Sequence, residues 1–281
     1  LVPLERALVL APDYALLGQV AEQARAALQA KAQVADTPPV EVSDEPVAVA
    51  PTRRTELELS TRHDWLDSGY DDWQAQRLDF VTSQPQGMAW YGALQRERRF
   101  GTWDHGASLG AVIPLNEVWA IQPEVGVTPG AAFQARWHAD LRVQRRLPQG
   151  FVGGASLRRT QYEDSRVDRL ALGIERYWAD WRAGYTLNVS DVENAGTPVG
   201  HNLNLDYYYA GPSHVGLRTT LGREEESLGG DRVIASDVAS VALRGRHWFT
   251  PRWAASWELG FLDQGDFYQR QWLQLGLRHA F

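Results

Sequence analysis

The chain has 281 residues and a formal net charge of −7, which leaves no basic footprint of the kind that binds nucleic acid. It has no cysteine, so disulfide scaffolds, thiol chemistry and Cys-ligated zinc are excluded. No apolar run approaches the roughly 18 residues of a transmembrane helix. Mean hydropathy is −0.39, yet there are 12 Trp and 10 Tyr, the amphipathic rings expected where protein meets a lipid–water boundary. The chain starts at Leu1 without Met, and a signal segment is expected upstream.

Residues 4–11 read as a helix closed by Pro12, with Ala7 and Pro12 spaced as at the end of a tetratricopeptide repeat (TPR). A second helical pattern at about 15–33 puts Leu16, Leu17, Val20, Ala24, Ala27 and Leu28 on one face. Residues 1–34 are therefore expected to form a short α-helical hairpin of TPR type, either alone or as the cap of a longer array, since a lone pair buries little. Residues 35–53, with Pro38, Pro39, Pro46 and Pro51 among acidic residues, read as an extended linker.

From Arg54 onward the pattern changes to period two. Trp137, Ala139, Leu141 and Val143 alternate with His138, Asp140, Arg142 and Gln144, and the same row is extended back to Phe133 and Ala135. Leu203, Leu205, Tyr207 and Tyr209 alternate with Asn202, Asn204 and Asp206. Leu273, Leu275, Leu277, His279 and Phe281 form a closing row. Segments near 54–65, 73–83, 87–99, 105–113, 118–128, 131–146, 151–162, 167–178, 181–190, 200–210, 214–224, 234–249, 253–262 and 267–281 all follow this rule. Most reach the roughly 9–11 residues that a tilted strand needs to span a bilayer. The expected fold over 54–281 is an all-β transmembrane barrel of about fourteen antiparallel strands, with twelve or sixteen as alternatives.

The connections alternate too. Short, mostly Pro-containing turns, such as Pro114–Glu117, Leu147–Gly150 and Thr250–Arg252, alternate with mostly longer and more charged ones, such as Asp67–Asp72, Arg99–Asp104, Asp191–Pro198 and Glu225–Asp231. Bacterial barrels keep short turns on the periplasmic side and longer loops outside. Aromatics gather near strand ends (Trp65, Trp73, Trp119, Trp178, Trp181, Trp248, Trp253 and Tyr207 to Tyr209), where interfacial girdles belong.

If the apolar rows face lipid, Arg136, His138, Asp140, Arg142, Arg158, Glu175, Arg182, Asp206, Arg218 and Glu258 line the lumen. Such charges either satisfy one another or form a path for a hydrophilic solute, and no long internal loop is evident as a plug. His63, His105 and His201 are expected near the external rim, but no catalytic motif surrounds them and no metal-ligand spacing joins them. No enzyme activity, metal or cofactor is expected.

Gly87–Gly101, Trp119–Gly126, the Arg159–Tyr162 edge and Leu273–Phe281 resemble the YaiO-type outer-membrane barrel family across roughly 54–281. That resemblance implies an outer-membrane protein. The TPR-then-barrel order is shared with exporters of secreted polysaccharide, in which the repeats sit in the periplasm and scaffold partners. It points to a conduit or export port for a hydrophilic polymer such as an exopolysaccharide. The alternatives are an occluded anchoring barrel or surface receptor that docks periplasmic partners, and, third, a barrel enzyme at the external rim. The resemblance also implies outer-membrane lipid, the barrel assembly machinery and periplasmic or envelope export components as partners. Leu273, Leu275, Leu277 and Phe281 would be the signal that the assembly machinery reads.

Overall fold

The computed structural model describes residues 53–67, 69–84, 87–227 and 233–281. The helical hairpin expected at 1–34 and the linker expected at 35–53, save its last residue, lie outside the described residues.

Fourteen antiparallel strands close into one barrel: β1 (Arg54–Leu66), β2 (Trp73–Ser83), β3 (Ala89–Arg99), β4 (Thr102–Pro114), β5 (Trp119–Val127), β6 (Trp137–Arg146), β7 (Phe151–Gln161), β8 (Arg166–Trp178), β9 (Trp181–Val192), β10 (Val199–Ala210), β11 (Ser213–Ser227), β12 (Val233–Trp248), β13 (Trp253–Asp263) and β14 (Gln269–Ala280). Each strand pairs with its sequence neighbours, and β14 pairs with β1 from Glu56↔Ala280 to Leu66↔Arg270. The Phe281 amide extends this seam by donating to the Thr55 carbonyl at 2.9 Å. Closure leaves no sheet edge, the condition for crossing hydrocarbon with strands.

The period-two rows face outward. Leu59, Leu94, Leu157, Leu203, Leu275 and their neighbours form an exposed apolar belt, as a lipid-facing surface requires. The rings of Trp65, Trp103, Trp119, Trp137, Trp178, Trp181 and Trp253 lie outward near the strand ends. Glycine makes room at two inward positions. A Cβ at Gly216 would meet the Asp206 carboxylate at 2.0 Å, and one at Gly260 would meet the Trp272 ring at 2.2 Å.

Four expectations need correction. First, β6 starts at Trp137, not at 131. Thr128-Pro129-Gly130 breaks the ladder, Gly130 takes a positive φ of 65°, and Phe133 turns inward to become buried. Second, the Arg99–Asp104 connection is only a two-residue turn, Phe100-Gly101, with φ of 52° and 77°, the paired positive values that tight hairpins use. Third, β11 continues through Glu224, Glu225 and Glu226 to Ser227, paired with Val233–Ser236 of β12. The β11–β12 hairpin therefore extends into the stretch read as an external loop. Fourth, Trp73, Trp248 and Tyr208 are not girdle residues. Register places them opposite the inward-facing Asp64, Ala254 and His214 respectively, so they face the lumen.

Candidate functional site

The barrel interior is the candidate site. Residues 54–281 contain no lysine, and the inward-facing arginines organise the lumen.

Toward the short-turn end lies a cavity of about 740 Å³. Along one side runs a chain of ion pairs. Arg182 donates to Glu175 at 3.0 Å and to Asp206 at 3.2 Å, and Arg244 donates to Asp206 at 2.9 Å. Arg244 reaches across β11 because Gly216 presents no side chain there. A second group closes the seam. Arg278 of β14 donates to Glu56 at 2.7 Å and to Glu58 at 2.5 Å, both on β1. Arg246 of β12 reaches Glu58 at 3.3 Å, and Ser256 of β13 donates to it at 2.5 Å. Carboxylates buried this deeply are tolerable only because they are paired and hydrogen-bonded.

Several inward arginines are not engaged in this way, Arg142, Arg158 and Arg218 among them. Among the described residues Arg142 has no hydrogen-bonding or ion-pair partner, Arg158 reaches only Thr160 Oγ1 at 3.4 Å, and Arg218 meets Glu258 at 3.8 Å. Asp140, which lies between Arg142 and Arg158 and feels the charge of both, makes no hydrogen bond among the described residues. Asn202, Asn204, Thr186 and Tyr91 add neutral polar groups to the cavity wall.

A second cavity of about 510 Å³ lies toward the other end and shares Arg77 and Glu124 with the first. Two segments fold into this half. The β5–β6 loop is held by Asp104, whose buried carboxylate accepts from the amides of Ala132, Phe133 and Gln134 at 2.8–3.1 Å. The upper end of β11 meets it where Ser227 donates to the Phe133 carbonyl at 2.8 Å. Glu226 meets Arg99 of β3 at 3.3 Å, and Arg99 also donates to Glu97 at 2.6 Å. The Arg99 guanidinium lies 4.2 Å from the Trp73 ring and 5.5 Å from that of Phe133. Trp73, Phe100, Tyr70, Tyr268 and Trp272 complete an aromatic cluster inside the barrel. Burial pushes the Tyr268 phenol well above its usual range.

The expectation that no long loop enters the lumen needs correction: the β5–β6 loop folds inward onto Asp104 and meets the end of β11 there. The Thr-Pro-Gly stretch was the available signal. Asp104→Ala should cost about 1.5–3 kcal/mol, the worth of hydrogen bonds to a charge. It should also release the loop, read as faster limited proteolysis between residues 128 and 136, with the strands left intact.

Of the expected lumen residues, His138, Asp140, Arg142, Arg158, Glu175, Arg182, Asp206, Arg218 and Glu258 occupy inward positions. His138 is held by Glu124 at 3.1 Å. Arg136 stands apart, just ahead of β6, exposed at the rim and paired with Glu163. Sequence reading missed Glu56, Glu58, Arg99, Glu226, Arg244 and Arg278 as lumen residues, and it set Asp104 beside His105 at the rim where the structure turns it inward. His63, His105 and His201 face outward on separate strands. His63 is held by Asp72 at 3.0 Å and His201 by the Tyr185 hydroxyl at 2.8 Å. Among the described residues no three His, Asp or Glu side chains converge as a metal site would.

The family model for the YaiO membrane β-barrel domain matches residues 54–227. The chain belongs to the YaiO family. It is accordingly an outer-membrane β-barrel, and by the rule for bacterial barrels its short-turn end is periplasmic. No curated protein matches the YaiO chain. Among solved structures it is similar to the KdgM porin (13% identity, TM-score 0.44, covering 80% of this chain and 99% of that one). It is also similar to Omp33 of Acinetobacter baumannii (10%, 0.49, 81% and 99%) and OpdQ of Pseudomonas aeruginosa (9%, 0.47, 82% and 98%).

Proposed function

We propose that the barrel is a conduit for a hydrophilic polymer, with an exopolysaccharide as the class its lining suits. The observation that carries this reading is the 740 Å³ periplasmic cavity lined by Arg142 and Arg218, the first with no hydrogen-bonding or ion-pair partner among the described residues and the second only loosely paired with Glu258 at 3.8 Å. Asn202, Asn204 and Thr186 stand beside them. Amides and hydroxyls match the donors and acceptors of a sugar chain, and guanidinium groups so weakly engaged favour a glycan bearing carboxylate or sulfate. The partners of such a port would be outer-membrane lipid and periplasmic export components docked at the short-turn end.

Planar-bilayer recordings of the purified protein test this. Conductance is expected that falls when a soluble acidic polysaccharide is added on the periplasmic side, and Arg142→Ala with Arg218→Ala should weaken that block. A sealed lumen, or a block unchanged in the double variant, would overturn the conduit.

A specific observation favours the second reading, an occluded anchoring barrel or surface receptor: the aromatic cluster and the Arg99–Glu226 bridge narrow the external half. We assign no catalytic role to His63, His105 or His201.

We also propose that the β14 row Leu273, Leu275, Leu277 and Phe281 is read during assembly. Phe281 projects outward and is 69% exposed, its ring meeting that of His279 edge-on at 4.4 Å. Phe281→Ala should lower the yield of inserted barrel several-fold and cost barrel already inserted no more than about 1 kcal/mol of stability, the worth of the His279 contact. Equal loss of both would argue against recognition.

A further inference from the structure

The lipid-facing surface carries an unneutralised cationic patch at the external ends of β2 to β4. Trp90 and Leu94 of β3 face outward, 40% and 60% exposed, so Arg96 and Arg98, at the same parity, face outward too. Register sets Arg96 beside Gln76 of β2 and His105 of β4, and Arg98 beside Gln74 and Trp103. Arg96 donates to Gln76 Oε1 at 2.6 Å and its guanidinium lies 5.1 Å from the Trp103 ring. Arg98 has no hydrogen-bonding or ion-pair partner among the described residues.

Other outward arginines near this rim are neutralised. Arg159 is paired with Asp168 at 2.6 Å and Arg223 with Asp237 at 3.3 Å. On the β1 side, His63 is already held by Asp72. No outward position of β2, β3, β4 or β5 holds a carboxylate.

Depth identifies what the patch meets. Arg98 is level with Trp103, and one outward position deeper than Arg96 the wall becomes Leu94, with Leu78 across from it. The two guanidinium groups therefore stand at the boundary where hydrocarbon gives way to headgroups. An arginine there is costly against hydrocarbon, and a phosphate offers it two acceptors in the geometry of its planar fork.

We propose that Arg96 and Arg98, flanked by Trp103 and His105, bind the phosphorylated headgroup of a glycolipid of the outer leaflet. This does not depend on what the lumen carries.

The test titrates detergent-solubilised barrel with diphosphorylated lipid A and with the same lipid after enzymatic dephosphorylation, bound lipid being counted by native mass spectrometry. The phosphorylated form is expected to bind tighter, and R96Q/R98Q to lose about tenfold or more, the scale of losing charge-assisted contacts. R96K/R98K should retain part of the affinity, since lysine keeps the charge but not the planar fork, and Arg223→Gln all of it. The same affinity for both lipids, or wild-type affinity in R96Q/R98Q, would overturn the proposal. So would displacement of the lipid by millimolar inorganic phosphate. Heat-modifiable migration reports whether each variant has folded. Should R96Q/R98Q not fold, the comparison of the two lipids on wild-type and lysine-substituted barrel still decides.

Discussion

Replacing Arg278 with alanine is expected to lower barrel stability by about 3 kcal/mol, through the loss of charge-assisted hydrogen bonds to buried carboxylates. Arg278 joins β14 to both Glu56 and Glu58 of β1, and the two acids are 6% and 7% exposed. Removing the cation leaves two like charges two residues apart on one strand face. The loss stays at the lower end of the range for breaking a buried pair because each acid keeps another partner: Arg54 at 2.6 Å for Glu56, and Arg246 for Glu58. Urea titration of barrel in lipid vesicles, followed by tryptophan emission, measures the change. Arg252→Ala, in an exposed turn, should stay within about 0.5 kcal/mol. The double variant Arg278→Met and Glu56→Gln should recover part of the loss, since it removes one stranded acid while Glu58 keeps its pair with Arg246. A loss that persists unchanged in the double variant would mean that packing, and not the Glu56 charge, holds the seam.

The second large effect is expected at the external end. Glu226→Ala removes the carboxylate that ties the end of β11 to Arg99 across the barrel. With that bridge gone, single-channel conductance should rise at least about twofold, because a constriction near the size of the solute governs flux. Arg99→Ala should do more, since it also removes the guanidinium packed on Trp73 and Phe133. The absence of native cysteine permits a reciprocal experiment. Cysteines placed at Ser227 and Phe133, joined by a short thiol cross-linker, should hold the two segments together and reverse the gain. Unchanged conductance in both alanine variants would show that the narrowest point lies elsewhere, and the acidic groups near Arg77 and Glu124 would be the next to test.

Where hydrophobic alternation sets the structure, the sequence was readable. Leu203, Leu205 and Tyr207 must face one side and Asn202, Asn204 and Asp206 the other, because strand side chains have a period of two. Fourteen strands and most of the lumen-facing set follow from that rule. It says nothing about which inward charges meet. Arg244 reaches Asp206 only because Gly216 intervenes, and Arg99 meets Glu226 only because the wall curves round to bring β3 and β11 face to face. Alternation also misleads where the ladder stops. Phe133 and Ala135 kept the outward rhythm on paper, but the amides beside them bind the Asp104 carboxylate and draw the segment inward. Trp73 was placed by its chemistry in a girdle, while register opposite Asp64 put it inside.

The charged seam has a further consequence for the protein before it is complete. Strand β1 is made more than 200 residues ahead of its partner β14 and waits as an open edge, the kind of template on which other chains can stack. On β1 itself Arg54 pairs with Glu56 and Arg62 with Asp64, but Glu58 has no cation on its own strand. A strand that paired there without a cation at the position of Arg278 would bury the Glu58 charge unmatched on that side. The ion pair that closes the finished wall would thus act earlier as a selection step, favouring the strand that carries the matching arginine.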